Sequence, residues 1–73
     1  ANALAFWKKS ISNQVKRGIS RHEIKSHTNP EEVAVVMISI IEGAIMQAKV
    51  AGRSTELRIA MDFLERYINS IKE

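Results

Sequence analysis

The side chains best suited to acid–base or metal chemistry lie in one polar segment of this 73-residue chain. His22 and His27 stand in that segment, with Glu23 beside the first of them. Imidazoles can ligate a metal or transfer a proton near neutral pH, but a metal site needs further converging ligands that the sequence does not place. Because exposed histidine pairs are usually solvated, we predict neither a metal site nor a cofactor.

Nucleophilic catalysis has equally little support in the sequence. The chain contains no Cys, so a thiolate nucleophile and a disulfide are excluded. Its serines lack the strand-to-helix glycine context of a nucleophile elbow, and no glycine-rich phosphate loop is present. We therefore predict no catalytic residue and no enzymatic activity.

Charge is distributed unevenly along the chain. Residues 1–30 contain six Lys or Arg side chains against the single acid Glu23, within a net charge of +3. A basic patch can attract DNA phosphates, so direct DNA binding by this segment is one hypothesis. A solvated helix face more often explains such a run, and the following connection is too long for a helix-turn-helix. We favour the solvated face.

The elements that would position these groups are predicted to be helices. Apolar residues from Leu4 through Trp7, Ile11 and Val15 to Ile19 recur at steps of three and four, which predicts an amphipathic first helix. No alternation typical of a strand and no internal repeat occurs anywhere in the chain. The predicted fold class is therefore all-α, with three helices and two connections.

The ends of the second and third helices carry recognisable signals. Asn29 and Pro30 are typical of a helix start, and Gly52 after Ala51 is typical of a helix end. We expect the second helix to begin there and to include residues 33–50. Ser54 is predicted to cap a third helix that runs to about residue 71.

The second helix is apolar nearly all round, so it must be covered on more than one side. A second subunit or a missing domain must therefore bury it. No apolar run approaches the ~20 residues of a membrane span, so we expect a soluble chain. If the chain self-associates, its last two helices would form a four-helix bundle with their copies. Gly43 either admits a partner helix or accommodates a bulky neighbour within one subunit. The predicted interface residues are Ser39, Gly43, Met46, Val50, Ile59, Phe63 and Tyr67.

Aromatic and thioether side chains supply candidates for an apolar ligand pocket, because they suit adaptable sites. The predicted pocket residues are Phe6, Trp7, Met37 and Ile41, with Met46 as a further candidate. The same spacing is also typical of a plain hydrophobic core, which is the commoner origin of an apolar stripe.

The order of several short motifs resembles the last helices of TetR-family repressors. The motifs are Gly18-Ile19, Glu23-Ile24, Asn29-Pro30-Glu31-Glu32-Val33-Ala34, Ile41-Glu42-Gly43 and Asp62-Phe63-Leu64. Each is weak alone, and their order and spacing carry the resemblance over almost the whole chain. His22 stands where the family often has Gly before Glu-Ile, which bears on the geometry of the first connection.

The resemblance implies that residues 1–73 are the C-terminal dimerisation and effector-binding part of a cytoplasmic repressor. It implies a homodimer, an unidentified small-molecule effector, and operator DNA read only by an N-terminal helix-turn-helix domain that this chain lacks. Helical spacing is already present at Leu4, which suggests a segment of a longer protein. The alternative is a stand-alone helical adaptor that binds a partner helix through the second and third helices.

Overall fold

The fold consists of three helices in chain order. A computed structural model describes residues 3–73, with α1 at Ala3–Ser20, α2 at Pro30–Ala51 and α3 at Thr55–Ile71. Within these residues no strand is formed beyond one isolated bridge. The all-α prediction is confirmed, and each helix lies where its apolar spacing predicted it.

The three helices lie in a single layer. Among the described residues, α1 and α3 both pack on α2 and make no helix–helix contact with each other. The Cα atoms span 41 × 31 × 13 Å, so the layer is about one helix thick. Its radius of gyration is 13.5 Å, against about 11 Å for a compact domain of this length. A layer this thin cannot enclose a core from both sides.

The core is small and follows α2. Its buried apolar side chains are Val15, Val33, Ala34, Ile38, Ala44 and Leu64. The accessible surface is 5467 Å², whereas a compact monomer of 8.2 kDa exposes about 4,500 Å². The excess, roughly 900 Å², is close to what one partner buries in a standard protein–protein interface.

Both ends of α2 form as their residue types predicted. The Asn29 side-chain oxygen accepts the backbone N–H groups of Glu31 at 3.0 Å and Glu32 at 3.2 Å. Gly52 ends the helix in the left-handed conformation, with φ of 68°, and its N–H donates to the Ala48 carbonyl. These caps satisfy backbone groups that a helix end leaves free.

The start of α3 differs in one respect from its prediction. Ser54 occupies the N-cap position, but its side chain makes no capping hydrogen bond. Its ψ of 7° departs from the extended conformation in which a capping hydroxyl reaches the first turn. Instead, the Arg53 guanidinium donates to the Glu56 carboxylate at 3.1 Å, and this hydrogen bond holds the pKa of Glu56 below its usual range.

The exit from α1 is a Schellman motif with His22 in the left-handed conformation. His22 has φ of 61°. Its N–H donates to the Ile19 carbonyl at 3.0 Å, and the Glu23 N–H donates to the Gly18 carbonyl at 2.8 Å. This is the pair of hydrogen bonds that defines the motif, whose left-handed position is usually glycine. The position where the resemblance expected Gly therefore has glycine-type geometry.

Replacing His22 with Gly should raise the free energy of unfolding by up to about 1 kcal/mol. A left-handed L-residue costs about 1–2 kcal/mol, and the greater freedom of unfolded glycine offsets part of the gain. Urea unfolding followed by circular dichroism measures the change. His27→Gly is the matched control, because His27 is exposed and has no positive φ, and it should lose stability. A loss in both variants would contradict the prediction.

Candidate binding surfaces

One face of the helical layer carries an apolar groove between α2 and α3, here called the α2–α3 groove. Its volume is about 560 Å³, and Ser39 and Gly43 line it from α2, while Ile59 and Phe63 line it from α3. Ile59 and Phe63 are each more than half exposed. The structure thus brings together four of the residues predicted to lie in a dimer interface.

Gly43 has open space where a side chain would begin. No heavy atom outside its own helix lies within 4 Å of an ideal Cβ built at this position. The hypothesis that Gly43 accommodates a bulky neighbour within the same subunit is therefore wrong. What remains is a small residue on an open groove, at a helix position where Gly costs about 1 kcal/mol relative to Ala.

The other predicted interface residues also lie at the surface, but outside this groove. Val50 is 85% exposed at the end of α2, and Met46 is 66% exposed one turn earlier. Tyr67 is half-buried on α3. Val35 and Val36, near the start of α2, are exposed as well. The uncovered apolar surface therefore extends along most of α2.

The four predicted pocket residues do not come together. Met37 and Ile41 are half-buried and line a groove of about 380 Å³ between α2 and α3, here called the Met37 groove. Trp7 lines a different groove with Met46, and Phe6 is exposed. Since Phe6, Trp7 and Met46 are all more than half exposed, the core interpretation does not hold for them within this chain.

A further cavity, here called the basic cavity, is lined by residues around the end of α1 and the end of α3. Its volume is about 610 Å³, and its lining residues are Gln14, Arg17, Gly18, Arg21, Glu23, Ile24, Ile68 and Lys72. It was not predicted from the sequence. The basic character of residues 1–30 was visible, but the approach of Lys72 from the other end of the chain has no signal in local spacing.

The connection between α1 and α2 is fixed to the last residues of the chain. The Lys25 N–H donates to the Ile71 carbonyl at 2.8 Å, and the Glu73 N–H donates to the Glu23 carbonyl at 3.0 Å. The Lys25 ammonium also donates to the Ser70 carbonyl at 3.0 Å. These hydrogen bonds, here called the terminal clasp, hold one wall of the basic cavity in place.

The histidines take no part in any metal-binding arrangement in the described chain. Both are exposed, and residues 3–73 contain no group of three or more His, Cys, Asp or Glu side chains placed to hold a metal ion. The structure instead assigns His22 a backbone role, at the left-handed position after α1.

The expectation that no segment is apolar enough to span a membrane does not hold for α2. It is 22 residues long and, by length and composition alone, apolar enough to cross one. Only 22% of its most apolar 18-residue stretch is buried within the chain. This result and the open groove at Gly43 describe the same property, an apolar helix covered by its own chain on only part of its circumference.

Comparison with known proteins agrees with this architecture. A family model described as "Tetracyclin repressor-like, C-terminal domain" matches residues 1–64. No curated protein and no solved structure matches the chain. The family match spans all of α1 and α2 and more than half of α3. The chain therefore belongs to the Tetracyclin repressor-like C-terminal domain family.

Proposed function

We propose that this chain is the ligand-sensing, homodimerising C-terminal part of a TetR-family transcriptional repressor. In this proposal two copies associate through α2 and α3, and a small molecule binds within the helical domain. Operator DNA is read by an N-terminal helix-turn-helix domain outside these residues. The protein acts in the cytoplasm and has no catalytic role. Family membership supports the regulatory class, and the surface of α2 supports association.

The observation that carries the proposal is the uncovered apolar face of α2 around Gly43. The accessible surface of the chain exceeds that of a compact monomer by roughly 900 Å². This excess matches the area that one partner buries in a standard interface. A symmetric dimer would place the same face of a second copy against it, as the commonest oligomers do. Ser39 and Gly43 would then allow close approach of the partner helix, with Ile59 and Phe63 packing beside it.

The apolar face of α2 is better matched to another helix than to lipid. Glu42 lies in the middle of the helix and Lys49 lies near its end. An ionised side chain at the centre of a bilayer costs about 2.5–3.5 kcal/mol. In an assembled dimer, Glu42 can stay at the water-exposed edge while the opposite side of α2 is covered.

For the effector we propose the Met37 groove as one wall of the site. Met37 and Ile41 already lie together there, and both are half-buried. Phe6 and Trp7 are exposed on α1, and they would complete an apolar enclosure only together with other parts of the protein. Thioether and aromatic side chains suit a pocket that adapts to its ligand.

The Gly43→Ala variant tests the interface. Within one chain it should preserve or raise helicity, because Ala favours a helix by about 1 kcal/mol and the site is open. Between chains it should weaken the dimer about tenfold, because the new methyl group holds the partner helix away. Sedimentation equilibrium over a range of concentrations measures the dissociation constant.

Lys16→Ala is the control for this variant, because Lys16 is exposed on α1 and removed from the α2–α3 groove. Its dimer dissociation constant should stay close to that of the wild type. If the Gly43→Ala variant forms a dimer as tight as the wild type or tighter, Gly43 is excluded from the interface. A wild-type chain that remains a folded monomer would favour the helical adaptor instead.

A further inference from the structure

We propose that the basic cavity binds a small organic anion, with its charged group between Arg17, Arg21 and Lys72 and its apolar part over Ile24 and Ile68. This inference rests on the proposed ligand-sensing function only for its biological meaning, because it names the chemical class of the effector. Binding itself follows from the charges, shape and lining of the cavity.

Three cationic side chains line the basic cavity, against the single carboxylate of Glu23. Arg17 lies in the last turn of α1, Arg21 directly follows that helix, and Lys72 directly follows α3, so two distant parts of the chain supply the cations. Within residues 3–73 none of the three forms a salt bridge. A cation near a helix C-terminus also stabilises its own helix, but that effect does not require the cations at the ends of two helices to line the same cavity.

The cavity also has an apolar floor. Gly18 is buried, and Ile24 and Ile68 are half-buried where they line the site. A volume of about 610 Å³ lies within the range of sites for small molecules. A bare inorganic ion would leave this floor uncovered. An anion with a hydrocarbon or aromatic body would cover it.

Hydrogen bonds within the chain hold the walls of the cavity in place. The Gly18 carbonyl accepts the N–H groups of both Glu23 and Ile24, at 2.8 and 3.1 Å. The terminal clasp then holds the segment against the end of α3 and against Glu73. A site with a fixed backbone loses less conformational entropy when it binds.

The polar groups of the cavity narrow the ligand class. Arginine forks pair with the oxygens of carboxylate, sulfonate or phosphate groups in two parallel hydrogen bonds. Gln14 adds an amide, and Glu23 adds one carboxylate to the rim. That carboxylate repels a polyanion, so the cavity fits one compact anionic group better than a nucleic-acid backbone.

The Met37 groove supplies a continuation for the apolar part of the ligand. Ile68 and Lys72 line both that groove and the basic cavity, so the two concavities adjoin. An anion held by the arginines can therefore extend its apolar body past Ile68 toward Met37. Asp62 and Glu65 line the Met37 groove, which keeps the anionic group of the ligand at the arginine end.

The test uses naphthalene-1-sulfonate as the anionic probe and naphthalene-1-sulfonamide as its uncharged counterpart. Both are titrated into the isotope-labelled chain, and backbone amide shifts are followed by NMR. The first variant carries Arg17→Gln with Arg21→Gln. The matched control carries Lys9→Gln with Lys16→Gln, which removes the same charge from exposed positions of the same helix outside the cavity.

The sulfonate should shift the amides around Gly18 and Ile24. The sulfonate should bind the arginine variant about tenfold more weakly than the wild type, because this variant loses charge-assisted hydrogen bonds. Its affinity for the lysine control should stay within about twofold of its affinity for the wild type. The uncharged sulfonamide should bind the wild-type chain about tenfold more weakly than the sulfonate does. Lys72→Gln alone provides a second variant at the end of the chain and should weaken the sulfonate severalfold.

Equal weakening in the arginine and lysine variants would overturn the proposal, because it would indicate nonspecific charge attraction. Shifts confined to other grooves, or equal binding of sulfonate and sulfonamide, would also overturn it. Sedimentation on the same samples separates this proposal from the proposed function. A dimer that fails to bind sulfonate rejects only the ligand class, whereas a monomer that binds it rejects only the dimer.

Discussion

Leu64→Ala should lower the free energy of unfolding by about 2–5 kcal/mol, the range for a buried leucine truncated in a packed core. Leu64 is 2% exposed and is the one buried residue of α3 in the described chain. With so few buried side chains, the remaining core cannot compensate for the cavity. A small domain has little stability in reserve, so much of its helicity should be lost at 37 °C.

The adjacent residue provides the control for Leu64→Ala. Phe63 is 51% exposed, so Phe63→Ala removes little packing within one chain. Its effect should come through the proposed dimer and should therefore depend on protein concentration. Thermal unfolding at several concentrations distinguishes the two variants. Leu64→Ala should lower the melting temperature at every concentration, whereas Phe63→Ala should act mainly where the wild type is dimeric.

If Leu64→Ala proved as mild as a surface substitution, the packing of α3 on α2 would have to be revised. If Phe63→Ala were equally destabilising at every concentration, Phe63 would belong to the core of one chain rather than to an interface. The two outcomes are independent, because the side chains of Phe63 and Leu64 point to different sides of α3.

The helices could be predicted because their signals are local. The apolar spacing of α1 and α3, the Asn29 cap and the Gly52 terminator all act within a few residues along the chain. The excess apolar surface of α2 was also visible in the sequence, since a helix that is apolar nearly all round needs cover on several sides. The predicted Ser54 capping hydrogen bond does not form, because residue type alone does not determine the backbone angle at an N-cap.

The sites were harder to predict because they depend on contacts between distant parts of the chain. The terminal clasp joins Lys25 to Ile71, and no periodicity indicates that pairing. The basic cavity was hard to predict for the same reason, because Lys72 lies near Arg17 and Arg21 only after the fold has formed. Trp7 was placed in a core or pocket by its spacing, yet a layer one helix thick leaves it more than half exposed.

Gly18 is the residue through which the helix end, the terminal clasp and the basic cavity depend on one another. A Cβ added there would lie 2.5 Å from the Ile24 Cδ1 atom and 2.8 Å from its Cγ1 atom. Both distances are far below van der Waals contact, so Ile24 must move. Because the flanking backbone is held by the Glu23 and Lys25 hydrogen bonds, it has little freedom to follow.

Gly18→Ala should therefore lower the free energy of unfolding by about 1–3 kcal/mol, the cost of overpacking, although Ala alone favours a helix by about 1 kcal/mol. In an Ile24→Ala background the same change should become neutral or stabilising, since the nearest remaining atom, the residue-24 Cβ, lies 3.5 Å away. Urea unfolding of the four chains gives the coupling energy. An equal cost of Gly18→Ala in both backgrounds would show that contact with Ile24 is not its origin. Faster amide exchange at Lys25 and Glu73 in the single variant would show that the terminal clasp opens when Ile24 is displaced.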